Sequence, residues 1–166
     1  MVSDRSGVAR STLYRHWRTK EELLRDAFAA QAGGNAAPGD HGAVPAGPGD
    51  ARGALVAYAQ AVAAGLAEVW GVAAVSLAGS ATTDPEQRAV QRVLVEDTRR
   101  DLHAVVTAGR ASGDLDLSAD PEALIERLLD LVIAPMSYRY QFTDHPVTRP
   151  QAAQLASAAW DALHAG

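Results

Sequence analysis

Cysteine is absent from the 166 residues, and aromatic side chains make up only 5% of them. Without cysteine the chain can form neither a disulfide nor a cysteine-ligated zinc site, and it has no thiol nucleophile. No apolar run reaches the roughly 18 residues that a membrane-spanning helix needs. The polar N-terminus also lacks the apolar segment of a secretory signal. We therefore expect a cytoplasmic protein that does not contact a membrane.

Familiar catalytic and metal-binding motifs are missing as well. The five histidines include no H-x-x-x-H pair, and no G-x-S-x-G, Walker or G-x-G-x-x-G pattern occurs. The acidic stretch 114–120 is not a calcium loop, because Ala119 and Ile125 stand where such a loop needs Gly and Glu. We predict that the protein is not an enzyme and has no catalytic residue, metal or cofactor.

A surplus of positive charge, which is typical of nucleic-acid-binding proteins, is also lacking, since the formal net charge is −5. The charges are unevenly spread, however. The first 25 residues carry six basic and three acidic side chains, whereas the other 141 residues carry nine and seventeen. This division favours a small anion-binding head on an acidic body, although chance clustering in a short window would give the same counts.

Helical patterns account for most of what the sequence does contain. Apolar residues recur at three- and four-residue spacing, and no alternating strand pattern is present, so we predict an all-α fold. Residues 33–50 read GGNAAPGDHGAVPAGPGD, which has the composition of a flexible linker. The linker would separate a partial helix-turn-helix head (1–32) from a helical ligand-binding and dimerisation body (51–166).

Five helices are predicted in the body. Asp84-Pro85 and Asp120-Pro121 are helix-start signals, and Gly113 is a C-cap signal. Pro135 is expected to kink the fourth helix, because it has no N–H for the carbonyl of Leu131. The predicted helices cover about 51–67, 68–79, 85–112, 121–142 and 149–164.

The last two of these helices predict a homodimer. The fourth helix is apolar on two faces, one with Leu124, Leu128, Leu131 and Pro135, the other with Ile125, Leu129, Val132 and Met136. The fifth carries a stripe of small residues with little to bury against in one small body. Pairing with a second copy in a four-helix bundle would cover both. The predicted interface residues are Leu129, Ile133, Ala152, Ala156, Ala159 and Leu163.

The most informative segment runs from Ser6 to Leu23. Gly7 makes a tight turn before a short helix, in which Leu13 and Trp17 can form an inner face at i,i+4 spacing. The outer face then displays many side chains able to bind phosphates and base edges. This is the layout of a helix-turn-helix, which predicts binding to double-stranded DNA.

The segment closely resembles the DNA-binding head of the TetR family of transcriptional regulators. The matching residues, in order and spacing, are Gly7-Val8, Leu13-Tyr14, His16-Trp17 and Lys20-Glu21-Glu22-Leu23. The resemblance implies a ligand-responsive repressor that acts as a homodimer on a DNA operator. By position, base-edge contacts are expected from Arg10, Ser11 and Arg15, and phosphate contacts from Thr12, Tyr14, His16 and Lys20. For each of these residues, a solvated surface side chain is the alternative.

The head also departs from the family pattern. Trp17 replaces the usual Phe, and Ala9 stands where Ser or Thr commonly caps the recognition helix. The family's first helix has no counterpart before Gly7, and only about Val2 to Ser6 represent the second. The alternative function is therefore a truncated homologue that dimerises and binds small molecules without binding DNA.

The resemblance also implies an effector pocket in the body. Because few ionisable groups fall on the apolar faces that would line it, we expect an apolar or aromatic effector. Packing in the core is the alternative role for each lining residue. The predicted lining consists of Tyr58, Leu66, Trp70, Leu77, Leu94, Leu102, Leu128 and Met136.

Overall fold

The structure is a computed structural model that describes residues 50–67 and 69–164; the predicted head and almost all of the predicted linker lie outside these residues. Within this part the chain is helical and contains no strand. No helix in the described ranges is long and apolar enough to cross a membrane. The elements are α1 (Ala51–Leu66), α2 (Val69–Ala81), α3 (Pro85–Ser112), α4 (Pro121–Leu128), a π-helical turn (Leu129–Ile133), α5 (Ala134–Phe142) and α6 (Arg149–His164).

The helix boundaries follow from local capping chemistry. The Asp84 carboxylate accepts hydrogen bonds from the backbone N–H groups of Glu86 and Gln87, at 2.9 and 3.4 Å, which satisfies donors that the first turn of α3 leaves unpaired. Asp120 accepts from the N–H of Glu122 at 3.2 Å in the same way. Gly113 ends α3 in the left-handed conformation, with φ of 80°. The predicted start and stop signals are therefore confirmed.

The core lies where α6 packs against α1, α4 and the π-turn, while α3 packs against α1, α2 and α4. Tyr58 and Leu55 of α1 and Leu102 and Val105 of α3 are fully buried there. Gly109 of α3 lies close to Trp160 of α6, since a Cβ at Gly109 would come within 2.8 Å of the indole ring.

The small-residue face of α6 belongs to this core, and this burial within one chain differs from the expectation drawn from the sequence. Ala152 and Ala156 have no exposed surface in a single chain, and Ala159 and Leu163 are also buried. Their Cβ groups let α6 approach the neighbouring helices of the same chain closely, so they have no surface left to offer a second copy. The expectation that Ala152, Ala156 and Ala159 have little to bury against within one chain was wrong. The two other predicted interface residues, Leu129 and Ile133, are half-buried against the same core.

The predicted fourth helix is interrupted before Pro135. Its ends at 121 and 142 agree with the prediction, but residues 129–133 form a π-turn in which the N–H of Ala134 donates to the carbonyl of Leu129. A π-turn contains one more residue per turn than an α-helix does. Pro135 has no N–H for the carbonyl of Leu131, so the α-helical ladder is interrupted at this point in any case. The disruption expected at Pro135 therefore takes the form of a π-turn just before it.

Candidate functional site

The predicted DNA contacts lie outside the described residues. They remain predictions from the sequence for Arg10, Ser11, Thr12, Tyr14, Arg15, His16 and Lys20.

Most of the predicted effector-pocket residues lie in the core of the body. Five of them belong to the buried core cluster, namely Tyr58, Leu66, Leu102, Leu128 and Met136. Leu77 of α2 is buried and Leu94 of α3 is half-buried. Trp70 lies in α2, but its side chain is outside the described part. The structure thus places residues of α1, α3, α4 and α5 in one buried cluster, and their role in a pocket stays a prediction.

Polar groups enter this apolar region from α3, and the sequence reasoning missed them. The Tyr58 hydroxyl lies beside that of Thr98, and the Thr98 hydroxyl donates to the carbonyl of Leu94 at 3.1 Å. Burial raises the pKa of Tyr58, and the nearby carboxylate of Asp101 raises this pKa further, while the neighbouring Thr98 hydroxyl acts in the opposite direction. The phenol is therefore held in its neutral form.

Asp97 is the buried charged residue of the described body, with only 5% of its surface exposed. Its carboxylate is paired with the exposed guanidinium of Arg100 at 2.7 Å, which offsets the cost of removing the charge from water. The expectation that few ionisable groups fall on the apolar faces needs correction here. Asp97 and Asp101 interrupt the apolar face of α3 at i,i+4 spacing, and this spacing was the available signal in the sequence.

A surface cleft of about 290 Å³ lies between α3 and α4. Arg99 crosses it, donating to Glu122 at 2.8 Å and to Glu126, and these two hydrogen bonds raise the pKa of the guanidinium. The remaining lining residues are Glu96, Arg100, His103 and Ile125. Because both of these Arg99 contacts reach α4, the cleft is best explained as an ion-paired junction between two helices.

The outer face of the α4–α5 segment is apolar. Leu131, Tyr138 and Phe142 are 39%, 61% and 70% exposed, and Ala134 between them is also exposed. The rings of Tyr138 and Phe142 contact each other, with centroids 5.3 Å apart. We call these four residues the outer stripe. Large exposed apolar side chains in a row are typical of surfaces that bind another protein chain.

Tyr140 connects α5 to α2 on the opposite side. A Cβ at Gly71 would come within 2.6 Å of the Tyr140 ring, so only glycine allows the ring to lie this close to the α2 backbone. The sequence indicated neither the role of Gly71 nor its partner, because a glycine inside a helix carries no signal of what packs on it. The α5 segment therefore contacts the predicted pocket wall on one side and carries the outer stripe on the other.

Comparisons with known proteins agree on one family. A family model described as "Tetracyclin repressor-like, C-terminal domain" matches residues 45–159, and one described as "Bacterial regulatory proteins, tetR family" matches residues 1–27. The chain is similar to the crystal structure of a TetR family transcription regulator, with 25% sequence identity and a TM-score of 0.70. That match covers 96% of this chain and 83% of the other. No curated protein matches the sequence significantly.

The buried phenol predicts a specific loss of stability in alkali. An unfolded tyrosine ionises near pH 10, whereas the folded state raises the pKa of Tyr58 above this value. The resulting stability is present below about pH 10 and is lost as the pH rises towards the folded-state pKa. Urea unfolding should therefore show that Tyr58→Phe loses less stability than the wild type between about pH 8 and pH 11. An equal loss in the wild type and in Tyr58→Phe would contradict the assignment.

Proposed function

The chain belongs to the TetR family of transcriptional regulators, and we propose that it acts as a ligand-responsive repressor that works as a homodimer. The observation that carries the proposal is the pair of family matches, one on the head and one on most of the body, in the order that such a regulator requires. The proposed activity is binding rather than catalysis.

The proposed partner of the head is a double-stranded DNA operator. Cationic and hydroxyl side chains on the outer face of the predicted recognition helix are suited to phosphates and base edges. The acidic body would repel DNA, so contact should be confined to the head. A two-fold dimer would present two heads to two half-sites, as helix-turn-helix dimers do.

The proposed effector site is the region around Tyr58 and Met136, and the proposed effector is apolar or aromatic. Support comes from the apolar side chains that converge there and from the polar groups at one edge, where Tyr58 and Thr98 could orient a ligand. An effector bound there would favour one spacing of the two heads over another, and DNA would favour a different one.

The outer stripe is the proposed dimer contact, in place of the buried α6 face. A second copy would cover Leu131, Tyr138 and Phe142, which are exposed in the single chain, together with Ala134. A stable interface of this kind buries well over about 1,000 Å² in total. The half-buried Leu129 and Ile133 would lie at its edge.

DNA binding is tested with the promoter region of the protein's own gene. We expect affinity to fall steeply as salt rises, because bound cationic side chains release counterions from the DNA. Lys20→Ala should weaken binding about equally for all sequences and lower the salt slope by roughly one ion. Arg92→Ala, which removes a positive charge from the exposed face of α3, is the matched control and should leave affinity unchanged. If the protein dimerises but binds no DNA at any salt, the proposal fails and the alternative of a ligand-binding homologue is favoured.

Dimerisation is tested by light scattering at micromolar concentration. The wild type should have a mass of about twice 17.4 kDa. Tyr138→Glu should yield folded monomers, because it places a charge inside the proposed contact. Gln141→Glu adds the same charge to the same helix outside the stripe and should remain a dimer. A monomeric wild type, or a dimeric Tyr138→Glu variant, would refute the stripe as the interface.

A further inference from the structure

Four buried residues of the α4–α5 segment follow one another at a spacing of four: Leu124, Leu128, Val132 and Met136. Four residues turn an α-helix through about 400°, so such a row drifts by about 40° at each step and cannot stay on one face for long. The π-turn at 129–133 cancels this drift, because it contains one more residue than an α-helical turn. The observed burial therefore depends on the π-turn.

The same segment carries a second apolar row for an uninterrupted α-helix. Counted from Leu124 and Leu128 at about 100° per residue, the positions that continue on the same face are 131, 135, 138 and 142. These are Leu131, Pro135, Tyr138 and Phe142, and three of them form most of the outer stripe. Beyond Leu128 the sequence thus offers two apolar rows, one for each helical register, and the structure buries the row that suits the π-turn.

Pro135 does not decide between the two registers. Because Pro135 has no N–H, the carbonyl of Leu131 lacks a donor in an α-register. In a π-register, the carbonyl of Asp130 lacks one instead. Both residues are exposed, so water can bind either carbonyl. The hydrogen-bond cost of the proline is therefore similar in both registers, and the balance rests on which apolar row is buried.

We propose that the π-turn is a register switch. In the observed state, Val132 and Met136 face the core and Tyr140 lies on Gly71 of α2. In the second state the turn becomes α-helical and α5 rotates by about 100°, which carries Tyr140 away from α2 and draws the outer stripe towards the core. Two packings of one element that differ in register are an established kind of switching transition.

The switch links the two surfaces on which the proposed function rests. Met136 and Tyr140 lie at the proposed effector site, and Tyr138 and Phe142 lie at the proposed dimer contact, all on the same short helix. A ligand that favours one position of Met136 or Tyr140 would change the outer stripe, and with it the pairing of the two copies. Coupling of this kind needs a two-state element that both sites bias.

The chain allows a direct test by methyl NMR, because it contains only two methionines, Met1 and Met136. In the full-length protein with ¹³C-labelled methionine methyls, we expect relaxation dispersion or a second signal at Met136 and neither at Met1. Deletion of Asp130, an exposed residue of the π-turn, removes the additional residue and leaves Val132 and Met136 in line with Leu128 on a continuous α-helix. This variant should fold, and its Met136 signal should be single and free of exchange.

A deletion of Gln154 is the matched control, since it removes an exposed polar residue from α6, which has no π-turn to absorb the change. It should prevent folding, because it turns Ala156 and Ala159 away from the core relative to Ala152. If the Asp130 deletion does not fold either, Leu131→Asn decides the matter, because it disfavours the second register, in which Leu131 is buried, leaves the buried row of the observed register unchanged, and should abolish exchange at Met136.

Absence of exchange at Met136 in the wild type would overturn the switch, and so would exchange that persists in the folded variants. The promoter-binding assay and the NMR measurement decide different claims. Failure to bind DNA contradicts the proposed function and leaves the switch open, whereas absence of exchange at Met136 contradicts the switch and leaves the proposed function open.

Discussion

The constraint on which the rest of this structure depends is the row of four buried side chains from Leu124 to Met136. An α-helix cannot keep residues at a spacing of four on one face, and the π-turn before Pro135 corrects the mismatch. That correction sets the direction of every side chain in α5. It places Met136 in the core, Tyr140 on α2, and Tyr138 and Phe142 in solvent. The inner and outer surfaces of the body therefore share one physical origin.

Packing of α6 against the same core bears on the proposed dimer contact. Ala152, Ala156 and Ala159 of α6 are buried within a single chain, whereas the outer stripe is exposed. The stripe is also the part of the body that the register of α5 controls. In a regulator that reads DNA with two heads, the angle between the two copies determines the distance between the heads. A change of register in one helix would thus reach the DNA through the dimer contact.

Much of the fold was predictable from local chemistry. The Asp-Pro starts and Gly113 fixed the helix ends to within a residue or two, because caps are determined by neighbours in sequence. The register of α5 was not predictable, since Leu131 and Val132 are both apolar and only packing selects between them. The burial of Ala152 and Ala156 within one chain was not predictable for a similar reason, as a small-residue face suits close approach within one chain or between two. Thr98 and Asp101 were missed because their partner, Tyr58, is distant in sequence.

The central claim is that the outer stripe joins two copies across a two-fold axis. Because the chain has no cysteine, a single introduced cysteine can carry one spin label per copy. Pulsed electron spin resonance should then give a shorter distance between copies for a label at Gln141, beside the stripe, than for one at Arg92 on α3. The absence of any coupling between copies, or a shorter distance at Arg92, would contradict the account.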